Sequence, residues 1–260
     1  MPRRTMLLLV SLTVALGLAG AALSKDKPGK PPHKPKGHGH HHAFAWHDVT
    51  TGSTASLRGL SAVSRNVAWA SGSAGTVLRT TDRGATWQSV GPPGTETLQF
   101  RDIEAFGPNR AVIMAAGTGT DSRIYRTADG GATWTLVNQN TDAAAFYDCM
   151  TFFNKKIGLT LSDPPDGVHF RILKTTDNGR TWSVVDPAGM PPALPGEAAF
   201  AASGQCITSN HGRSAWFGTG ASTQARVFTS RNRGRTWHVS ATPMASGPTA
   251  GINALAFRSQ

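Results

Sequence analysis

Four eight-residue segments of this chain superpose without a gap: Thr80 to Trp87, Thr127 to Trp134, Thr175 to Trp182 and Ser230 to Trp237. Each reads Ser/Thr-x-Asp/Asn-x-Gly-x-Thr-Trp, and the tryptophans lie 47, 48 and 55 residues apart. Self-similarity at such a period means one supersecondary unit used several times. Short apolar stretches precede the segments, namely Val77–Leu78, Ile124–Tyr125, Ile172–Leu173 and Val227–Phe228. Others follow them, at Gln88–Val90, Thr135–Val137, Ser183–Val185 and His238–Val239. Each segment is therefore the turn of a hairpin.

The residue types fit that role. Asp82, Asp129, Asp177 and, in the fourth copy, Asn232 carry short side chains that accept hydrogen bonds from turn amides. Gly84, Gly131, Gly179 and Gly234 tolerate positive φ. Trp87, Trp134, Trp182 and Trp237 are large apolar anchors for the returning strand. Upstream lie two more strand-like stretches per unit, such as Ile103–Phe106 with Ala111–Ala115, and Cys149–Phe153 with Gly158–Leu161. Four antiparallel strands per repeat predict an all-β chain of β-propeller blades. A stacked solenoid is the alternative; the short turns favour radial blades.

With these residues the chain resembles the Asp-box, or BNR-repeat, propellers of sialidases, sortilin-type receptors, xyloglucanases and photosystem II stability/assembly factors. Its layout is most similar to the assembly-factor type and its secreted bacterial relatives. The resemblance spans residues 43–260, is specific for fold and not for function, and departs at Asn232. It implies that the box residues are peripheral and structural, and that function belongs to the central mouth where the innermost strands begin. Aligning those starts gives Arg58, Arg101 and Asp102, Tyr147 and Asp148, Glu197, and Asn253 as candidate binding residues.

Ring closure is the open point. Ala45 to Val49 fits the register of Thr86 to Val90 and reads as an outermost strand without its own blade. Ile252 to Phe257 reads as the innermost strand of a further blade. Four complete blades plus these pieces predict a chain shortened at its C-terminus from the seven or so blades of the family, with open edges through which copies could pair. A five-bladed ring with an irregular last blade is the alternative.

The ends of the chain carry other signals. Arg3 and Arg4 precede an apolar stretch from Met6 to Leu23, the pattern of a secretory signal over residues 1–24. An uncleaved membrane anchor is its rival. Residues 25–42 are rich in Lys, Pro and His and read as a solvated tether. His38, His40, His41 and His42 are weak candidates for adventitious divalent metal; no cofactor is otherwise expected. The formal charge of +11 is concentrated here: residues 25–36 hold five Lys against one Asp. The remainder is only mildly basic, without interleaved aromatics in the tether, so nucleic acid is not an expected partner. An exported chain meets an oxidising setting, where Cys149 and Cys206 form a disulfide or remain two small buried side chains.

The function these readings favour is an exported, non-catalytic binding or assembly-factor-like propeller contacting a protein or cell-envelope polymer. The main alternative is a sialidase-like glycoside hydrolase using two of Asp102, Asp148 and Glu197, with Asp163 and Asp166 as further acids. A sialidase needs an early Arg-Ile-Pro, whereas Arg171-Ile172 is followed by Leu173 after two boxes. A shortened, non-functional copy is a further alternative. The least repeat-like loops, Ser162–Gly167 and Pro191–Glu197, form a second candidate contact surface. His169 and His211 stand alone in sequence and suggest no catalyst.

Overall fold

The computed structural model describes residues 47–210 and 212–257. The expected signal, the tether with its histidines, Ala45, Trp46 and His211 lie outside the described residues. Four four-stranded antiparallel sheets follow one another along the chain. The first blade holds β1 (Leu57–Ala62), β2 (Ala68–Gly72), β3 (Val77–Thr80) and β4 (Gln88–Ser89). The second holds β5 (Gln99–Ala105), β6 (Ala111–Ala116), β7 (Arg123–Thr127) and β8 (Thr135–Gln139). The third holds β9 (Tyr147–Phe152), β10 (Gly158–Ser162), β11 (Arg171–Thr175) and β12 (Ser183–Val184). The fourth holds β13 (Ile207–Ser209), β14 (Ala215–Gly218), β15 (Arg226–Ser230) and β16 (His238–Ala241). In each, strands pair in chain order, and the first strands pack in succession, β1 on β5, β5 on β9 and β9 on β13. The chain is a β-propeller with four complete blades.

The alternation of side chains along a strand turns this meander into a stack. On β6, Ala111, Ile113 and Ala115 face the first blade, where they join Trp69, Val77, Phe100 and Tyr125. Val112 and Met114 on the same strand face the third blade and meet Met150, Phe152 and Leu173. A third apolar layer, with Phe153, Leu161, Phe170, Phe217 and Phe228, fills the space between the third and fourth blades. Blades two and three are covered on both faces, which is why β6, β9 and β10 are buried throughout.

The boxes share one hydrogen-bond pattern. Thr127 Oγ1 donates to Asp129 Oδ1 at 2.8 Å and accepts the Gly131 amide at 3.0 Å. Asp129 in turn accepts the Thr133 amide at 2.9 Å and the Thr133 hydroxyl at 2.6 Å. The first and third boxes repeat this around Asp82 and Asp177. Hydrogen bonds from Thr86, hydroxyl first and amide second, hold the Asp82 carboxyl down at about 2, and Thr133 does the same for Asp129. In the fourth box Asn232 Oδ1 keeps the amide of Thr236 at 2.9 Å, and its Nδ2 now donates to Thr236 Oγ1 at 2.8 Å. The departure preserves the turn and removes only the charge.

Two successive residues of every box adopt left-handed φ: Arg83 and Gly84, Gly130 and Gly131, Asn178 and Gly179, Arg233 and Gly234. The second must be Gly for an additional reason. A Cβ on Gly131, Gly179 or Gly234 would stand 2.7 or 2.8 Å from Val90, Val112 or Leu159 of the preceding blade. The first residue of each pair donates its amide to the inner hairpin of its own blade, at Asn66, Asn109, Lys156 and Arg213. Its carbonyl points to the blade before. Arg79 Nη1 donates to Gly130 O at 2.8 Å, Arg126 Nε to Asn178 O at 3.1 Å and Lys174 Nζ to Arg233 O at 2.9 Å. A cation three residues before each of the first three box acids thus latches onto the next box.

The flanking pieces are irregular. His47–Val49 form no strand, and Ile252–Phe257 is held by single bonds, Ile252 N to Thr219 O at 3.2 Å and Leu255 N to Gln205 O at 2.9 Å. Neither piece has a continuous ladder partner, which a strand requires. Cys149 on β9 and Cys206 before β13 are joined as a disulfide, Cα atoms 6.1 Å apart, fastening the third blade to the fourth.

Thr127→Val tests the box. The substitution keeps the shape but leaves the buried Gly131 amide without its acceptor, so unfolding free energy in urea should fall by about 1–3 kcal/mol. Thr133→Val, at an exposed position, should cost clearly less in the same titration.

Candidate functional site

Register places the mouth residues more sharply than strand starts do. Ala62 pairs with Ala68, Ala105 with Ala111, Phe152 with Gly158 and Ser209 with Ala215, so Arg58, Arg101, Asp148 and Gln205 occupy equivalent positions. At three of these the ladder slips by one residue, between Leu57 and Gly59, between Phe100 and Asp102, and between Tyr147 and Cys149. Arg58, Arg101 and Asp148 are each the unpaired residue of a β-bulge. A bulge re-aims one side chain at the cost of a ladder bond, and here it does so at one level of three adjacent blades.

The side chains meet a plug formed by residues 199–204, the segment that leads into β13. Arg58 Nη1 donates to Ala202 O at 3.3 Å, and Arg101 Nη1 donates to Ala201 O. The Ala199 amide donates to Asp163 Oδ1 at 2.8 Å. Gly204 lies so close to Asp102 that a Cβ would fall on the carboxylate. Segment 199–204 therefore touches the first three blades. Beside it is a depression of about 360 Å³ lined by Arg58, Arg101, Phe146, Asp148, Asp163 and Phe200, together with the plug alanines. Arg58 is exposed, and neither arginine has a carboxylate partner among the described residues. Burial, and then the charge of Arg58, lowers the pKa of Arg101.

The acids beneath are not free to titrate normally. Asp148 is 1% exposed, and its Oδ2 has no hydrogen-bond partner. Burial first, and the neighbouring Asp163 second, raise it well above the usual carboxylate range. Burial raises Asp163 to about 6. Asp102 accepts the Met150 amide at 2.6 Å across to β9, yet burial and then Glu104 keep its pKa high. Glu104 retains some surface, and burial raises it to about 7. Among the described residues, no three His, Cys, Asp or Glu side chains gather as metal ligands would.

The remaining candidates lie elsewhere. Tyr147 is core: its hydroxyl donates to Asn138 Oδ1 at 2.7 Å between blades two and three, and burial pushes it up to about 12. Glu197 precedes β13 by ten residues and is absorbed by a buried ion pair with Arg226. It also accepts the Leu194 amide at 2.8 Å and the Thr219 hydroxyl at 2.5 Å, pinning the Pro-rich loop to the fourth blade. The mouth-level residue there is Gln205. Asn253 is exposed on the irregular C-terminal piece. In the other loop, Asp166 accepts the amides of Val168 and His169 and faces His169 Nδ1 at 3.0 Å, which makes it a turn-former.

The raised carboxyls set a pH dependence. Folded protein holds protons on Glu104 and Asp163 up to about 7 and about 6, whereas the unfolded chain releases them near pH 4. Stability from this source is complete below pH 4 and is lost as pH rises through 4 to 7. Chemical denaturation at pH 5 and pH 8 should show a loss to which Glu104 and Asp163 contribute on the order of 3 kcal/mol, so Glu104→Gln/Asp163→Asn should reduce the loss by about that amount, the remainder coming from Asp102 and Asp148.

No protein-family model and no curated protein matches the chain. Solved structures are similar at low identity. One, described as YCF48 bound to D1 peptide, is 14% identical over 76% of this chain and 87% of its own, with a TM-score of 0.44. The GH74 xyloglucanase of Xanthomonas campestris is 14% identical over 67% of this chain, TM-score 0.48, and the NanB sialidase of Streptococcus pneumoniae 13% over 62%, TM-score 0.38. This chain spans only 28% and 26% of the length of those two enzymes.

Proposed function

We propose that the chain is an exported, non-catalytic binding propeller that holds an acidic segment of a protein partner at its mouth. The observation that carries this reading is the set of three bulges at Arg58, Arg101 and Asp148. Two of them turn guanidiniums toward a depression with apolar walls at Phe146 and Phe200, which suits a peptide with a carboxylate at one end. The arginines already donate to backbone carbonyls, so their planes are oriented before a ligand arrives. Export is supported by the Arg3–Arg4 and Met6–Leu23 pattern and by the paired cysteines.

A glycosidase reading asks two carboxyl groups to flank one glycosidic bond, an acid at the leaving oxygen and a carboxylate on the opposite face of the sugar. Asp102 and Glu197 instead accept donors from the protein itself and are buried. That disposition favours binding over hydrolysis.

Two measurements test this. On fluorogenic sialosides and xyloglucan oligosaccharides, the chain and its D102N, D148N and E197Q variants should all match the blank; turnover in the parent that any variant abolishes would overturn the reading. On an array of acidic and neutral peptides, the chain should prefer the acidic set, and Arg58→Ala/Arg101→Ala should weaken that binding about tenfold or more.

A further inference from the structure

Away from the mouth, on the side where the third blade latches onto the fourth, lies a groove of about 430 Å³. Lys174, Arg213, Arg233 and Arg235 line it with Thr176 and Asn232, and no carboxylate does. Lys174 Nζ is fixed on Arg233 O, and Arg233 Nε donates to Gly212 O at 3.2 Å. Arg213 and Arg235 are exposed, and among the described residues none of the four cations has a carboxylate within ion-pair distance.

The junction between the second and third blades supplies the contrast. There Arg126 holds the place of Lys174 and feels Arg180 and Arg110, but the charge of Asp177 opposes them. Burial first, and then Arg235 and Arg233, lower the pKa of Lys174, with no acid opposing them. The missing acid is the box residue itself. Asn232 keeps the turn's hydrogen bonds and deletes the one carboxylate that would partly offset the cluster. Like charges gathered without a counter-charge are unfavourable until an anion joins them.

We propose that this groove binds consecutive phosphate groups of a polyanion. Guanidinium forks match phosphate oxygens, and Lys174 and the Thr176 hydroxyl supply further donors. The groove is wider than a single tetrahedral anion needs, and its charge is spread along both walls, so a chain of phosphates is favoured over one. This site is separate from the mouth and shares no residue with it.

The test is calorimetric titration of the full chain with inorganic tripolyphosphate, with orthophosphate as comparator. Tripolyphosphate should bind saturably and more tightly than orthophosphate. Asn232→Asp restores the carboxylate that the other three boxes carry, so it should fold normally and weaken binding about threefold to tenfold. Arg213→Ser/Arg235→Ser should weaken it at least as much. The effect of Asn232→Asp should persist in an Arg58→Ala/Arg101→Ala background, where any anion held at the mouth is removed. Replacement of Lys25, Lys27, Lys30, Lys34 and Lys36 by Ser separates the tether's charge: binding lost there and retained in Asn232→Asp would overturn the proposal, as would no saturable binding. Co-sedimentation with phosphatidylglycerol vesicles, against phosphatidylcholine vesicles, identifies the source of the phosphates. Pelleting that Asn232→Asp abolishes, with tripolyphosphate bound no more tightly than orthophosphate, would assign isolated lipid phosphates and overturn the proposal, whereas tripolyphosphate binding without pelleting assigns a soluble chain.

Discussion

A buried hydroxyl shared between a side-chain oxygen and a glycine amide is the interaction on which the rest of this propeller depends. In each box the Ser or Thr oxygen donates to Asp or Asn and accepts from Gly, which fixes two successive left-handed residues. That turn does three things at once. In the second to fourth boxes its Gly permits close approach to an apolar side chain of the preceding blade. Its first amide ties back to the inner hairpin, and in the second to fourth boxes its first carbonyl receives the previous blade's cation. A local polar motif thereby sets the distance between blades, and the apolar layers can pack at interior density only because that distance is set.

Rigidity at the rim permits irregularity at the mouth. Three bulges give up regular pairing to aim Arg58, Arg101 and Asp148, and a coil at 199–204, small residues but for Phe200, lies across them. The disulfide, the Glu197–Arg226 pair and the Asp163 contact hold that coil from several sides. The carboxyls beneath are raised because burial disfavours their charge more than the available amides favour it.

The boxes were legible because their chemistry is local: eight residues carry both the turn and its reason. The latches were written in the sequence as well, as Arg79, Arg126 and Lys174 three residues before each acid, but their meaning needs the neighbouring blade. Arg58, Arg101 and Asp148 stood out as polar residues at strand starts, while their bulges show only as a break in alternation, as in Phe100-Arg101-Asp102-Ile103. Glu197 was misaligned because the longer spacing before the fourth box hides an inserted plug, and Gln205 takes the equivalent place. Small residues such as those of 199–204 carry no periodic signal from which a plug can be read. Asn232 was visible as a departure, and its consequence, an uncompensated cationic groove, required the positions of Lys174 and Arg213 on another strand and another loop.

Amide hydrogen exchange at Gly84, Gly131, Gly179 and Gly234 tests the central role of the boxes most directly. If the shared hydroxyl lock sets blade spacing, all four amides open only with global unfolding, and Gly234, in the box with Asn, is protected as well as the others. Fast local exchange at these glycines, with the strands on either side still protected, would show that the boxes are ornaments on blades held together by apolar packing alone.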